Sequence, residues 1–521
     1  VGIQKISSLC LGVLLSLSLL AQRGGRPGAG GGFDTSNAPQ GGSNRGVEYD
    51  TRDTFGVYYF SAEQPNLLRK LADTTLNRFD IYQPTNQTFV PYAHTGNIGS
   101  AHRPIWFDMP FRRGFDVGYH QYDLYYILPD QLRFSVLEKP FTRVFYSRGP
   151  TQQDGQFKGK FSRNFSNGLH FTVEGQTIRE FGIDDQYPNQ AGKVESAGTG
   201  MWWDAPNERY DAFLYFTSNT IEQQENGGIR IEPVAQNDAP LGNIDAQTAT
   251  VFLGSNTDTR HANKTVGYRH YFSLIANDKN GTVTTTRDTI TRAATSVQVR
   301  DTVQAAQNSM PRLKRDFTIA HKIEFQHHNY KYSDTDPDQI YSVDTIFPNS
   351  RPDYYGQFYV DPRGLRSAIR WRTLENDFQI STFRLSDEEN DVEKEERNRL
   401  EIGLNHQLHW LREDQINTTF NNLFLTGKLD FTIKKAFQLR TYAHLGILSN
   451  AGDYRLSGDM KLDFGRFGRL DLSATSQASE PYRIQEQFYV SQRSLWRRDL
   501  QKVIHSQLRA TYELPLLHLS A

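Results

Sequence analysis

Leu429-Asp430-Phe431-Thr432-Ile433, Leu439-Arg440 to Ala443-His444-Leu445, Met460-Lys461-Leu462-Asp463-Phe464 and Leu470-Asp471-Leu472-Ser473-Ala474 share one design. Apolar side chains recur at even spacing, with charged or polar residues between them. A period of two sends neighbours to opposite faces of a strand, so each segment reads as a strand of a sheet with two unlike faces. The pattern recurs through the chain. Phe157, Gly159, Phe161 and Phe165 oppose Lys158 and Lys160, and Leu169, Phe171 and Val173 oppose His170, Thr172, Glu174 and Gln176. Val266, Tyr268, His270, Phe272 and Leu274 share one face, while Phe317, Ile319, Ile323 and Phe325 oppose Lys322, Glu324 and Gln326. Leu400, Ile402, Leu404, Leu408 and Trp410 alternate with Glu401, Asn405, Gln407 and His409. At least a dozen such segments make the chain all-β.

Composition bounds what such a sheet is for. The 521 residues make three or four ordinary soluble domains or one large closed sheet. A hydrophobic content of 37% and a mean hydropathy of −0.63 exclude a polytopic helical membrane protein, which needs repeated runs of about 20 apolar residues. Aromatic residues at 12% exclude a disordered chain. Lys plus Arg number 58 against 59 acids, so no net field points to nucleic acid.

The one long apolar run, Leu9 to Ala21, follows Lys5 and reads as a secretory signal peptide, residues 1–21, cleaved near Ala21-Gln22. A buried helix is the alternative, and a lipoprotein built on Cys10 is weaker because that cysteine precedes most of the run. Cleavage removes the only cysteine, so the mature chain has neither a disulfide framework nor a thiolate metal site. Residues 22–50 are Gly-, Asn- and Ser-rich and read as a flexible leader. Residues 51–113 carry mixed signals and read as an N-terminal periplasmic cap or plug-like segment. It contains a short strand over Phe55–Phe60 and one helical turn around Leu67–Leu71. The barrel is expected over 114–521.

The charged faces are too polar to bury in protein, and the apolar faces too numerous to leave in water. A soluble sandwich covers the apolar face with a second sheet. An antiparallel transmembrane β-barrel covers it with lipid and turns the charged face to a wet lumen. Segments of about 10 residues favour the barrel, being long enough to cross hydrocarbon at a tilt. Tyr268, Tyr271, Tyr330, Trp371 and Trp410 near segment ends fit an interfacial girdle. Tight turns at Ser166-Asn167-Gly168, Pro206-Asn207 and Leu374-Glu375-Asn376-Asp377 alternate with longer loops at 182–194, 220–246 and 386–398. The Thr-rich stretch 275–312 is expected on the short-turn side. At least 12 strands are visible, and 14–18 are expected for the full-length protein. The end at Leu516-Leu517-His518-Leu519-Ser520-Ala521 resembles the start of a strand and reads as a C-terminal truncation.

Several strings resemble the putative porin family of Bacteroidota outer membranes. They are Asp73 to Pro84 (Asp73-Thr74-Thr75-Leu76-Asn77-Arg78-Phe79), His94-Thr95-Gly96-Asn97-Ile98-Gly99-Ser100-Ala101, Gly114 to Tyr125, Pro140-Phe141-Thr142, Tyr146-Ser147-Arg148-Gly149-Pro150 and Lys160-Phe161-Ser162-Arg163-Asn164. The resemblance implies an outer-membrane barrel that passes solutes, inserted by the barrel-assembly machinery, with no assigned catalytic residues.

No cofactor or metal is expected. His406 and His409, and likewise His327 and His328, are an odd number apart and face opposite sides of a strand. Asp334-Thr335-Asp336-Pro337-Asp338 lacks the glycine and distal glutamate of a calcium loop. The charge run Ser386–Arg399 reads as a solvated loop. The candidate pore lining is Lys158, Lys160, Glu174, Gln176, Lys322, Glu324, Glu401, Asn405, Gln407, Lys428, Asp430, Arg440, His444, Lys461 and Asp463. Mixed signs screen solutes by size and hydration more than by ion sign. The expected function is passive diffusion of small hydrophilic solutes across the outer membrane. The alternatives are an accessory or scaffold barrel of the envelope and pairing of these side chains across the lumen.

Overall fold

A computed structural model describes residues 57–71, 82–149, 154–181, 188–205, 209–229, 249–274, 317–335, 364–385, 396–413, 416–433, 436–514 and 519–520, apart from positions 89, 108, 138, 166–167 and 492. The signal, the leader, the Thr-rich stretch, residues 336–338 and most of the 386–399 charge run lie outside the described residues.

The N-terminal strands are short: β1 (Tyr58–Ser61), β2 (Gln64–Lys70), β3 (Tyr92–His94), β4 (His102–Pro104) and β5 (Arg133–Val136). Then come the long ones: β6 (Phe141–Arg148), β7 (Gly155–Asn164), β8 (Leu169–Glu180), β9 (Gly192–Asp204), β10 (Tyr210–Gln224), β11 (Thr257–Ser273) and β12 (Thr318–Asp334). They continue through β13 (Leu365–Leu385), β14 (Glu396–Glu413), β15 (Asn417–Ile433), β16 (Phe437–Gly446), β17 (Tyr454–Asp463) and β18 (Arg469–Ser479). The chain closes with β19 (Gln487–Val490), β20 (Arg493–Arg497), β21 (Val503–Leu514) and β22 (Leu519–Ser520).

Strands β6 to β18, then β21 and β22, form one 15-stranded sheet in chain order, every neighbour antiparallel. Among the described residues no pairing joins β6 to β22. In the middle of the sheet an exposed apolar row alternates with a buried polar row, whereas β6, β17 and β21 bury none of their side chains. On β14, Leu400, Ile402 and Leu404 are exposed while Glu401, Asn405 and Gln407 are buried. On β12, Ile323 and Phe325 are exposed while Lys322 and Glu324 are buried. An exposed apolar row beside a buried charged row is the reverse of a water-soluble sheet, and it fits hydrocarbon outside and protein inside.

What buries the polar row is the N-terminal part of the chain. Strand β1 pairs with β2 and β5 in a three-stranded sheet. Its Phe60 and Phe134 pack with Trp202, Phe213 and Tyr271 of the wall. Tyr122 and Tyr125 pack on Ile178, Val194 and Ile221, and Val117 packs on Tyr330, Ile369 and Leu411. Phe111 meets Tyr442 and His444 on β16, and Arg112 reaches Ser479 on β18. One segment therefore touches strands from β8 to β18, so the sheet curls around it: the described residues within 57–137 form an internal plug. The wall makes room with glycine. A Cβ at Gly200 would fall 2.8 Å from both Leu132 and Phe134.

Four expectations are corrected. Residues 114–137 belong to the plug, and the first wall strand is β6. The helical turn expected around Leu67–Leu71 is strand β2 instead, because its backbone pairs with β1. The tight turn expected at Leu374-Glu375-Asn376-Asp377 is the middle of β13, paired residue by residue with β12 and β14. With that turn gone, the β13–β14 connection falls at the same end as the β7–β8 turn. Finally, Tyr271, Tyr330 and Trp371 are not girdle residues: they face inward against the plug, Tyr271 donating to the Ala62 carbonyl at 2.7 Å and Tyr330 stacking on Tyr119 at 4.1 Å.

Gly200→Val should overpack the plug–wall contact, destabilising it by about 1–3 kcal/mol. Faster hydrogen exchange at the β5 amides checks this; wild-type protection would contradict the close packing.

Candidate functional site

Midway along β13, the period of two puts Glu375, Asp377 and Gln379 on the buried row. Glu375 is the centre of the site. It accepts from Lys322 Nζ of β12 at 2.9 Å, from Asn405 Nδ2 of β14 at 2.6 Å and from Arg113 Nη2 of the plug at 2.7 Å. Gln407 donates to Asn405 at 3.0 Å, and Tyr215 donates to Glu324 at 2.6 Å. Arg269, also buried, lies 3.5 Å from Glu63 of the plug. Two plug residues of opposite sign thus each meet an opposite charge of the wall.

A carboxylate taken from water needs its lone pairs filled and its charge opposed. Two cations and an amide do this for Glu375, and one of the cations comes from the plug. Arg113 therefore ties the plug to the wall by charge, beside the apolar contacts that seat the same segment. Around the rest of the plug, Gln121 contacts His261 at 3.3 Å, and Asn219 exchanges hydrogen bonds with the Ile127 backbone at 2.9 and 3.1 Å. Inside the plug, burial pulls the His120 imidazole down. Its hydrogen bonds to Asp116 and Asp123 outweigh that and push it up to about 10. Burial lowers His102 to about 4, and its neutral Nε2 accepts from the Leu124 amide at 3.2 Å.

The fifteen candidate lining residues separate into two sets. Lys322, Glu324, Asn405 and Gln407 gather around or beside Glu375. His444 is buried between Phe111 of the plug and Phe424, and Gln176 donates to the Tyr125 carbonyl. The others pair along the wall, away from this cluster. Lys160 lies 3.5 Å from Glu174, with Lys158 beside them on the same face, and Glu401 bonds Arg399 and Lys428, the latter at 3.2 Å. Asp430 stands opposite Arg440 in register, Lys461 opposite Asp471 and Asp463 opposite Arg469. Arg440, Lys461 and Asp463 are exposed.

Glu375, Arg113, Asp377 and Arg269 were not among the expected residues. Glu375 and Asp377 carried a signal, since they alternate with outward Phe378 and Ile380; the polar run 375–377 masked it as a turn. Arg113 carried none, because a plug loop has no period. Among the described residues no group of three or more His, Cys, Asp or Glu side chains is placed to hold a metal ion.

An antiparallel sheet with an apolar outer face, wrapped around its own N-terminal segment, defines a plugged transmembrane β-barrel. Residues 57–521 match the family described as Putative porin, and the chain belongs to that family. Solved structures similar to it include the siderophore receptor PirA from Acinetobacter baumannii, with 8% identity, a TM-score of 0.43 and coverage of 73% of this chain and 51% of that one. The ferric citrate transporter FecA matches at 8% identity and a TM-score of 0.32, covering 73% and 56%. The toluene transporter TodX of Pseudomonas putida matches at 8% and 0.25, covering 71% and 85%. The chain spans about half the length of the first of these structures. No curated protein matches the sequence. The family places the chain in the outer membrane as a porin-like β-barrel.

Arg113→Met leaves Glu375 with Lys322 as its one close cation. Breaking such a buried pair costs about 3–5 kcal/mol. Protease cleavage within 82–137 should accelerate while the wall stays intact; equal cleavage rates would contradict the role given to Arg113.

Proposed function

We propose that this barrel passes small hydrophilic solutes across the outer membrane, and that residues 57–137 close its lumen until the plug shifts. The single observation that carries the reading is the contact of plug Arg113 with Glu375 in the middle of the wall. A lumen filled by packed side chains does not admit free diffusion, so passage requires this contact to open. The wall behind it carries both signs, which favours selection by size and hydration over ion sign. Lys158, Lys160, Glu174, Gln176, Lys428, Asp430 and Arg440 join the Glu375 cluster as the lining that a solute meets once the plug has moved. On the same reading, residues 1–21 direct export, 22–50 are a flexible leader, and the barrel-assembly machinery inserts the chain.

Planar-bilayer conductance of the full chain tests this. Wild type should show rare openings, and Arg113→Met more frequent ones at the same voltage. Silence from both at every voltage would overturn solute passage and leave the scaffold alternative standing.

A further inference from the structure

The outward face of the wall changes character within one step along the strands. Val266, Phe325, Leu374 and Leu408 form one outward row across β11 to β14. The next row is Lys264, His327, Arg372 and Trp410, and the one beyond it includes Arg370 paired with Arg412. Lys331 stands one row further, opposite Arg260. Arg370, Arg372, Arg412 and Lys331 are exposed and Lys264 half-buried.

These cations differ from others at the same height. Beyond the patch, charges are neutralised within the wall: Arg260 of β11 by Glu222 of β10 at 3.2 Å and Lys193 by Glu195, both of β9, at 2.8 Å. Among the described residues no carboxylate lies within ion-pair distance of Lys264, Lys331, Arg370, Arg372 or Arg412. The nearest acid along the strand, Asp258, sits beyond Arg260 at the patch edge. Lys264, Arg370, Arg372 and Arg412 therefore share one surface without an opposing carboxylate, Lys331 stands beside Asp258 at its far edge, and its other border is the edge of the apolar band.

We propose that this patch on β11 to β14 binds the phosphorylated headgroup of a membrane lipid whose acyl chains lie on the apolar rows below. Charge complementarity selects an anion, and guanidinium groups match phosphate oxygens in a bidentate fashion. Continuity with the apolar band selects an anion that carries tails. Trp410, in the same row as Arg372, is the aromatic expected at the headgroup level. Basic side chains at this level attract anionic lipid, and a cluster of them is a binding surface. The inference uses only the outer face of the barrel, so it stands or falls independently of whether the lumen conducts.

The test is native mass spectrometry of the full chain in detergent, titrated with diphosphorylated lipid A, with dephosphorylated lipid A or with inorganic phosphate. Wild type should retain the phosphorylated lipid over its dephosphorylated form, and inorganic phosphate should not displace it. Replacing Arg370, Arg372 and Arg412 together by Ala should weaken retention on the order of a hundredfold, from the usual contribution of each basic residue near a charged surface. Replacing all three by Lys should keep most of it, and Arg163→Ala, elsewhere on the wall, should change nothing. Equal retention of both lipids, full retention by the Ala variant or displacement by inorganic phosphate would each overturn the proposal.

Discussion

Every wall strand of this protein stands between two environments that cannot be exchanged. Hydrocarbon on one side offers no hydrogen bonds, so the outer row must be apolar and the backbone must be satisfied by neighbouring strands. The inner row then carries what the outer row excludes, and its charges need partners. A shift of one residue in any strand would put Glu401, Asn405 and Gln407 into lipid and Leu400, Ile402 and Leu404 into the plug. That penalty fixes the register across the whole sheet.

The plug follows from the same constraint. Lys322, Glu375, Arg269 and Glu324 are too buried to rely on water, and too mixed in sign to repel one another outright. Arg113 and Glu63 complete the cluster from the plug side. Apolar contacts do the rest: Phe60 and Phe134 seat the three-stranded sheet against Trp202 and Phe213, with rings at 4.9 to 6.1 Å. Glycines at 198 and 200 let that sheet approach the wall, since a Cβ at either would meet Leu132 at 3.1 or 2.8 Å. The plug is thus held to the wall by packing and charge together, and Arg113 supplies part of the charge.

The wall was legible in the sequence because its signal is periodic. Alternation through Leu425–Ala474 and around Leu400–Trp410 placed apolar and polar rows on their faces without any tertiary information. A plug-like segment over 51–113 was legible, but its internal fold and its extent to residue 137 were not, because both are set by the wall. Residues 114–137 have no period of their own, and β2 is a strand only because β1 lies beside it. Polar clustering misled in the middle of β13, where Glu375, Asn376 and Asp377 mimic a turn yet sit at the centre of a 21-residue strand. Tyr271, Tyr330 and Trp371 misled in the other direction. Aromatic residues suit both a membrane interface and a plug contact, and only the parity of their positions, shared with inward residues such as Arg269 and Thr373, separates the two.

Spin labels at Leu429 and Lys428, neighbours on β15 with opposite facing, test the central claim most directly in the reconstituted full chain. Leu429 should be reached by oxygen dissolved in the acyl chains and shielded from a water-soluble nickel chelate, while Lys428 should be shielded from the acyl-chain oxygen. Equal exposure of both labels to the aqueous reagent, or lipid access at Lys428 in place of Leu429, would contradict a wall that turns its apolar row to lipid.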